Sequence, residues 1–233
     1  MCGRFTIISE LAAVQQEFDL DPDQEIWKSW TPRYNVAPTQ QVAVIKSISS
    51  TTLYLMTWGL IPHWSNPEKD KSFALINARS ESLDEKPAFR FPLQKNQRCL
   101  ILANGFYEWQ KQISNAHPKA PYYFYLKDQK PFVFAGLFNQ HTDSHNQILE
   151  TCTIITCAPN ELIAPIHHRM PVIFTAKKGL EWLSLEDCAK INASLTPLPA
   201  ELMQSHPVSQ WVNNAMLDSP RCILPLNDLT VNS

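Results

Sequence analysis

Between residues 41 and 156 the chain breaks into seven short apolar runs: QVAVIKS at 41–47, TLYLMTW at 52–58, RCLILA at 98–103, FYEWQ at 106–110, YYFYL at 122–126, FVFAGLF at 132–138 and CTIIT at 152–156. Each is dense in β-branched and aromatic residues and bounded by turn formers, the pattern of strands. Runs this short pack as one sheet or a barrel-like pair of sheets. Helical periodicity lies outside them. Ser9 followed by Leu11, Val14 and Phe18 predicts a capped helix over 10–18, and a second helical pattern covers 176–192 with Thr175 and Ser184 as caps. A Trp- and Pro-bearing loop runs from Trp27 to Pro38. With no internal repeat and no composition shift to mark a linker, the expectation is one α+β domain over 2–233. Its core is a mostly antiparallel, barrel-like sheet with a few flanking helices.

Glycine supplies only 5 of 233 residues and proline 18, against usual shares of about 7% and about 5%. Glycines this scarce are informative by position. Gly3, Gly59, Gly105 and Gly136 each sit in an aromatic or polar cluster, as expected where backbone turns or makes a close approach. Cysteines at 2, 99, 152, 157, 188 and 222 read as free thiols in a chain with no visible secretory leader. None forms a CxxC pair, so neither a metal nor a cofactor is expected. No apolar run approaches the ~20 residues that cross a bilayer, so we expect a cytoplasmic protein without membrane contact. A net charge of −2 and a pI near 6.4 argue against non-specific coating of duplex DNA. The charge is uneven, +4 over 61–130 against −2 over 1–60 and −4 over 131–233, which allows a local basic surface.

Six clusters could carry chemistry. The chain begins Met1-Cys2-Gly3-Arg4-Phe5, and removal of Met1 would leave Cys2 with an α-amine beside its thiol. Their reference pKa values, ~7.7–8.0 and ~8.5, keep both nucleophiles available near neutrality; the bland alternative is a frayed terminus. Asn35-Val36-Ala37-Pro38-Thr39 and Trp58-Gly59-Leu60-Ile61-Pro62-His63-Trp64 read either as Pro-rich turns with core tryptophans or as rigid aromatic loops on which bases stack. In Ile76-Asn77-Ala78-Arg79-Ser80-Glu81, an extended backbone would point Asn77 and Arg79 to the same face. Glu108, within Asn104-Gly105-Phe106-Tyr107-Glu108-Trp109, is a carboxyl among aromatics. That setting raises its pKa toward use as a general acid, unless it is an ordinary salt-bridged strand residue. In Ile166-His167-His168-Arg169-Met170-Pro171 adjacent imidazoles should diverge, one in a site and one outside, without sharing a metal.

MCGRF, NVAPTQ, WGLIPHW, INARSE, NGFYEW, FAGLF, TIIT and HHRMPVI, with HPVS at 206–209, occur here in the order in which they occur in the SOS response-associated peptidase (SRAP) family of abasic-site processing proteins, which the chain resembles from Cys2 to about Val172. The resemblance implies capture of abasic sites in single-stranded DNA. The freed Cys2 would attack the ring-opened sugar aldehyde, and its amine and thiol would close a stable thiazolidine crosslink. It implies Cys2 as nucleophile, Asn77 positioning the amine or sugar, Glu108 as acid/base and His167 assisting ring opening and reversal. It places Arg4, Arg79 and Thr156 at sugar or phosphate, with Asn35, Pro38, Trp64 and Trp109 as further DNA-binding positions. Lyase activity and autoproteolytic removal of Met1 are also implied. So are replication or repair proteins as partners, a monomer, and association with the nucleoid when DNA is bound. His168 stands where the family pattern has Asp, and Ser65 where a second Trp can occur. Cys2 behind an initiator Met also fits class II glutamine amidotransferases, which use an N-terminal Cys with its own amine as base but typically begin MCGI. The same terminus is compatible with a peptidase proper, and the aromatic loops with a non-catalytic single-strand binding module.

Overall fold

The computed structural model describes residues 2–21, 24–46, 52–66, 75–110, 120–142 and 144–226; Met1 lies outside them. In chain order its first half contains β1 (Phe5–Ile7), α1 (Leu11–Phe18), β2 (Arg33–Val36), β3 (Gln41–Ile45), β4 (Tyr54–Trp58), β5 (Asn77–Arg79), α2 (Pro87–Gln94), β6 (Arg98–Ala103) and β7 (Gly105–Trp109). The second half adds β8 (Pro121–Leu126), β9 (Phe132–Thr142), β10 (Ile148–Cys157), β11 (Met170–Pro171), β12 (Ile173–Phe174), α3 (Ala176–Ser184), α4 (Cys188–Ala193) and β13 (Met203–Pro207). The fold is α+β and mostly antiparallel, as the strand pattern predicts.

Five strands close into a barrel. β4 pairs with β3, β3 with β6, β6 with β9 and β9 with β10, all antiparallel, and β10 returns to β4 in parallel. β10 is long enough to hold β4 at Thr151 and Cys152 and then, further along, β5 at Ile154 to Thr156. Closure leaves those five strands no free edge to template aggregation. A second, antiparallel sheet runs β13-β8-β7-β1-β2. Phe5 of that sheet meets Trp58 and Phe134 of the barrel edge-on, at centroid distances of 5.2 and 5.5 Å. Every residue of β6 is buried, because α3 covers the barrel on that side. Arg98, 1% exposed, belongs to this packing: its guanidinium donates to the carbonyls of Trp182, Leu183 and Leu185 at the C-terminal end of α3, where a cation complements the helix dipole.

All seven expected strands form, but β9 and β10 run past their apolar cores as a hairpin, with Ile148 opposite Thr142. Polar residues extend them because cross-strand hydrogen bonds do not require apolar side chains. The helix caps differ from expectation. Glu10 rather than Ser9 occupies the N-cap of α1, and the Ser9 hydroxyl accepts from Asn104 Nδ2 at 2.7 Å. The 176–192 pattern is two helices, divided because Asp187 caps α4 by accepting from Ala189 and Lys190 N–H; the Ser184 hydroxyl instead donates to the Glu181 carbonyl. α2 escapes the periodicity because Pro87 opens it and Pro92 lies inside it. The Trp27–Pro38 stretch holds a 3₁₀ turn and β2. No helix among the described residues is long and apolar enough to cross a membrane.

Two scarce glycines show why they are glycine. Gly59 has φ 137°, outside the range of L side chains, directly after β4. Gly136 on β9 faces the barrel wall, where a Cβ would lie 2.8 Å from the Thr153 carbonyl oxygen and 2.9 Å from Cys99 Sγ. The backbone atom cannot rotate away, so Gly136→Ala should cost about 1–3 kcal/mol by overpacking, read as a lower urea midpoint with unchanged slope.

Candidate active site

Cys2 is fully buried. The register of β1 against β7, Phe5 opposite Phe106, together with a Tyr107 N–H to Arg4 carbonyl bond of 3.0 Å, draws the N-terminus along the strand that carries Glu108. From the barrel side, Asn77 Nδ2 donates to the Cys2 carbonyl at 2.8 Å. Asn77 is fixed there by the parallel pairing of β5 with Ile154 of β10. Cys2 therefore lies at the seam between barrel and second sheet, its thiol pointing to the Arg4 carbonyl at 3.8 Å. The frayed-terminus alternative fails on this burial.

Glu108, 2% exposed, sits in the same seam. Loss of water pushes its carboxyl up to about 7, close to neutral pH. Burial likewise holds the Cys2 thiol well above its ordinary range, and the negative charge of Glu108 adds to the effect. Opposite Glu108, the His167 Nδ1 lies 3.8 Å from Oε2. The turn before His167 is built by Asn160, whose Oδ1 accepts from Ile163 N–H at 3.0 Å and whose Nδ2 donates to Leu198 at 2.8 Å. His167 N–H then closes the turn on the Ile163 carbonyl at 2.9 Å, and Nδ1 sits against the Arg169 backbone. His168 is exposed, but the two rings do not diverge: their centroids are 4.4 Å apart at 34°, because the backbone bends at this pair instead of extending. Among the described residues no group of three His, Cys, Asp or Glu side chains is placed to hold a metal ion.

Sequence reasoning passed over the role of Arg169. Its guanidinium is buried and grips both oxygens of Glu81, at 2.6 and 2.9 Å, while donating to the Thr156 carbonyl at 2.6 Å. This bidentate pair ties the 160–169 turn to the segment after β5, so it sets the spacing between His167 and Asn77. Its signal was present as the Arg of HHRMP and the Glu of INARSE, which sequence distance alone does not pair. Thr156, fully buried, donates its hydroxyl to the Ala78 carbonyl at 3.3 Å.

The remaining sequence-predicted residues form two outer groups. Arg4 donates to Asn35 Oδ1 at 2.9 Å and to the carbonyls of Val212 and Asn213. Asn35, wholly buried, donates to Asn214 at 3.0 Å and Leu217 at 2.7 Å, and Trp109 Nε1 donates to Asn213 Oδ1 at 2.7 Å. These three hold the segment after β13 beside the site. On the other side, Arg79 is exposed two residues beyond Asn77, with buried Ala78 between them, the extended arrangement expected. Trp64 is 57% exposed; its neighbour His63 stacks on Phe91 of α2 at 3.7 Å, which braces the loop. Pro38 is half-buried in the turn after β2.

The family model for SOS response associated peptidase (SRAP) matches residues 1–215. The abasic site processing protein YoqW of Bacillus subtilis is 41% identical over 229 residues, covering 96% of this chain and 99% of its own. The abasic site processing protein HMCES of Gallus gallus is 32% identical over 229 residues, covering 84% of this chain and 67% of its own. A crystal structure of a protein from Bacteroides thetaiotaomicron shares the fold with a TM-score of 0.84 at 28% identity, over 96% of this chain and 99% of the other. A family match over residues 1–215, the barrel with its second sheet, and Cys2 seated between them agree: this chain belongs to the SOS response-associated peptidase family.

Proposed function

We propose that this protein senses abasic sites in single-stranded DNA and joins them covalently through Cys2. The observation that carries the reading is the seam itself, where an N-terminal cysteine is bound by Asn77 beside a buried carboxyl poised near neutral pH. Removal of Met1, by the chain itself or by another peptidase, frees the Cys2 α-amine. Asn77 Oδ1 is buried and lacks a hydrogen-bond partner among the described residues, so it is suited to accept from that amine and aim its lone pair.

The thiol, held neutral by burial, waits while the amine attacks the aldehyde carbon of the ring-opened sugar. The carbinolamine hydroxyl takes the Glu108 proton and leaves as water, giving an imine cation and a Glu108 carboxylate. The thiol then adds to the imine carbon and gives its proton to that carboxylate. One water is lost, a thiazolidine is closed and Glu108 is reset. His167, against Glu108, assists opening of the sugar ring and reversal of the finished adduct. Without the thiol the imine persists, and elimination of the neighbouring phosphate becomes a lyase side reaction. Arg4, Arg79, Trp64, Trp109, Pro38, Asn35 and Thr156 hold the strand, Asn35 and Thr156 from behind, through the segments they brace. We expect the protein to act as a monomer in the cytoplasm, with replication or repair proteins as partners.

Separating amine from thiol tests the mechanism. Cys2→Ala, with Met1 removed, should give borohydride-trappable adducts with an abasic single strand and no heat-stable ones. An uncleavable N-terminal tag should abolish both, and mass spectrometry should place the wild-type crosslink at Cys2 with loss of one water. Heat-stable adducts from either variant would move the nucleophile elsewhere.

Glu108→Gln should slow crosslinking by ~10²-fold or more, a usual loss for a general acid. The wild-type rate should also fall as pH rises past about 7, a limb absent from the variant. The same shift has a stability signature. The folded carboxyl binds its proton more tightly than the unfolded one, so its contribution is complete below about 4.5 and is lost as pH rises toward about 7. The loss is on the order of 3 kcal/mol. Glu108→Gln should therefore melt higher than wild type at pH 8 and near wild type at pH 4.5, read by thermal denaturation.

A further inference from the structure

One exposed patch is unused by the chemistry at Cys2. Trp211, 42% exposed, and Met216, 87% exposed, project from the segment after β13, and the Arg221 guanidinium lies over the Trp211 ring, 5.0 Å from its centroid. The backbone beneath them is firmly held. Val212 is buried, and the Ser209 hydroxyl accepts from Trp211 N–H at 3.3 Å. Asp218, three residues before Arg221, is paired with Arg33 at 3.0 Å. A large indole and a thioether in water, on a braced segment, have no role in stabilising the core.

The patch is continuous with the reacting residues. Arg4, two residues from Cys2, donates to the carbonyl of Val212, the residue next to Trp211. Trp109, next to Glu108, donates to Asn213, two residues beyond Trp211. These two contacts place the indole beside the residues of the seam. We infer that Trp211, with Arg221, is a stacking platform for a base flanking the abasic site, a positioning surface that extends the single-strand path beyond the catalytic seam. The chemistry fits a single strand. Every base has a face that stacks on an aromatic ring, and a guanidinium lying over one face of the indole can meet the adjoining phosphate while a base takes the other. Paired bases in a duplex would not offer that face. The inference rests on the single-strand reading above, and its test separates the two.

Affinities are measured by fluorescence anisotropy with strands carrying an aldehyde-free abasic analogue, one of about 15 nucleotides and one of about 3, lengths that bracket a typical single-strand footprint. Trp211→Ala should weaken the longer strand by about 5-fold or more, the loss of one stacked base, and change the shorter by less than about 2-fold. Trp211→Phe should restore most of the affinity. Arg221→Gln should reduce the salt dependence by about one phosphate contact, which Trp211→Ala should not do. The plateau crosslinking rate on a true abasic strand should match wild type in all three variants. Unchanged affinity for the longer strand, as a protein-docking face would give, overturns the inference, and so do equal losses on both lengths. Wild-type protein that binds the analogue but never crosslinks the aldehyde would sink the covalent reading alone.

Discussion

The hydrogen bond from Asn77 to the Cys2 carbonyl is the constraint on which the site depends. Chain termini ordinarily fray, and a nucleophile on a frayed end meets its acid only by chance. Here one side-chain amide, anchored to the barrel through β5, holds the main chain of the residue that leads into β1 of the second sheet. Barrel and sheet are thereby registered at the one point where their chemistry must meet. The Arg169–Glu81 pair acts on the same geometry from behind, because it fixes the turn carrying His167 to the segment leaving β5.

Burial raises the pKa of both the Glu108 carboxyl and the Cys2 thiol in this seam, and the consequences of that one effect differ. For Glu108 it raises a carboxyl into the range where protonated and ionised forms coexist at physiological pH, as the proposed acid-then-base role requires. For Cys2 it keeps the thiol neutral, which suppresses the oxidation and metal binding that follow thiolate character. In the proposed mechanism, that neutral thiol is the reason the amine attacks first.

The sheet-rich core was legible in the sequence because its strands are long enough to show β-branched and aromatic bias. β1, β2, β5 and β13 were not, since strands of three to five residues with polar members carry too little pattern. α2 hid behind two prolines. In the site, Cys2, Asn77, Glu108 and His167 were each visible as unusual residues in aromatic or polar clusters, and the family resemblance gave them roles. What the sequence could not display was partnership. Asn35 looks like a loop residue and proves to be a buried tether for residues 212–217, and Thr156 faces the protein interior rather than solvent. Such pairings join positions far apart in the chain, and no local pattern encodes them.

That separation bears on how the protein is made. Arg4 reaches a carbonyl 208 residues away, and β1 pairs with a strand about a hundred residues downstream. Contacts of this range form late, after the loop entropy they close has been overcome. During synthesis at about 5–20 residues per second, the first residues leave the ribosome tens of seconds before their partners exist. The N-terminal segment spends that interval without those partners. Glu108 joins Cys2 with β7, but the segment that Arg4 holds follows only after the last strand, β13, has arrived. The seam at Cys2 is thus left without that covering segment until the chain is nearly complete.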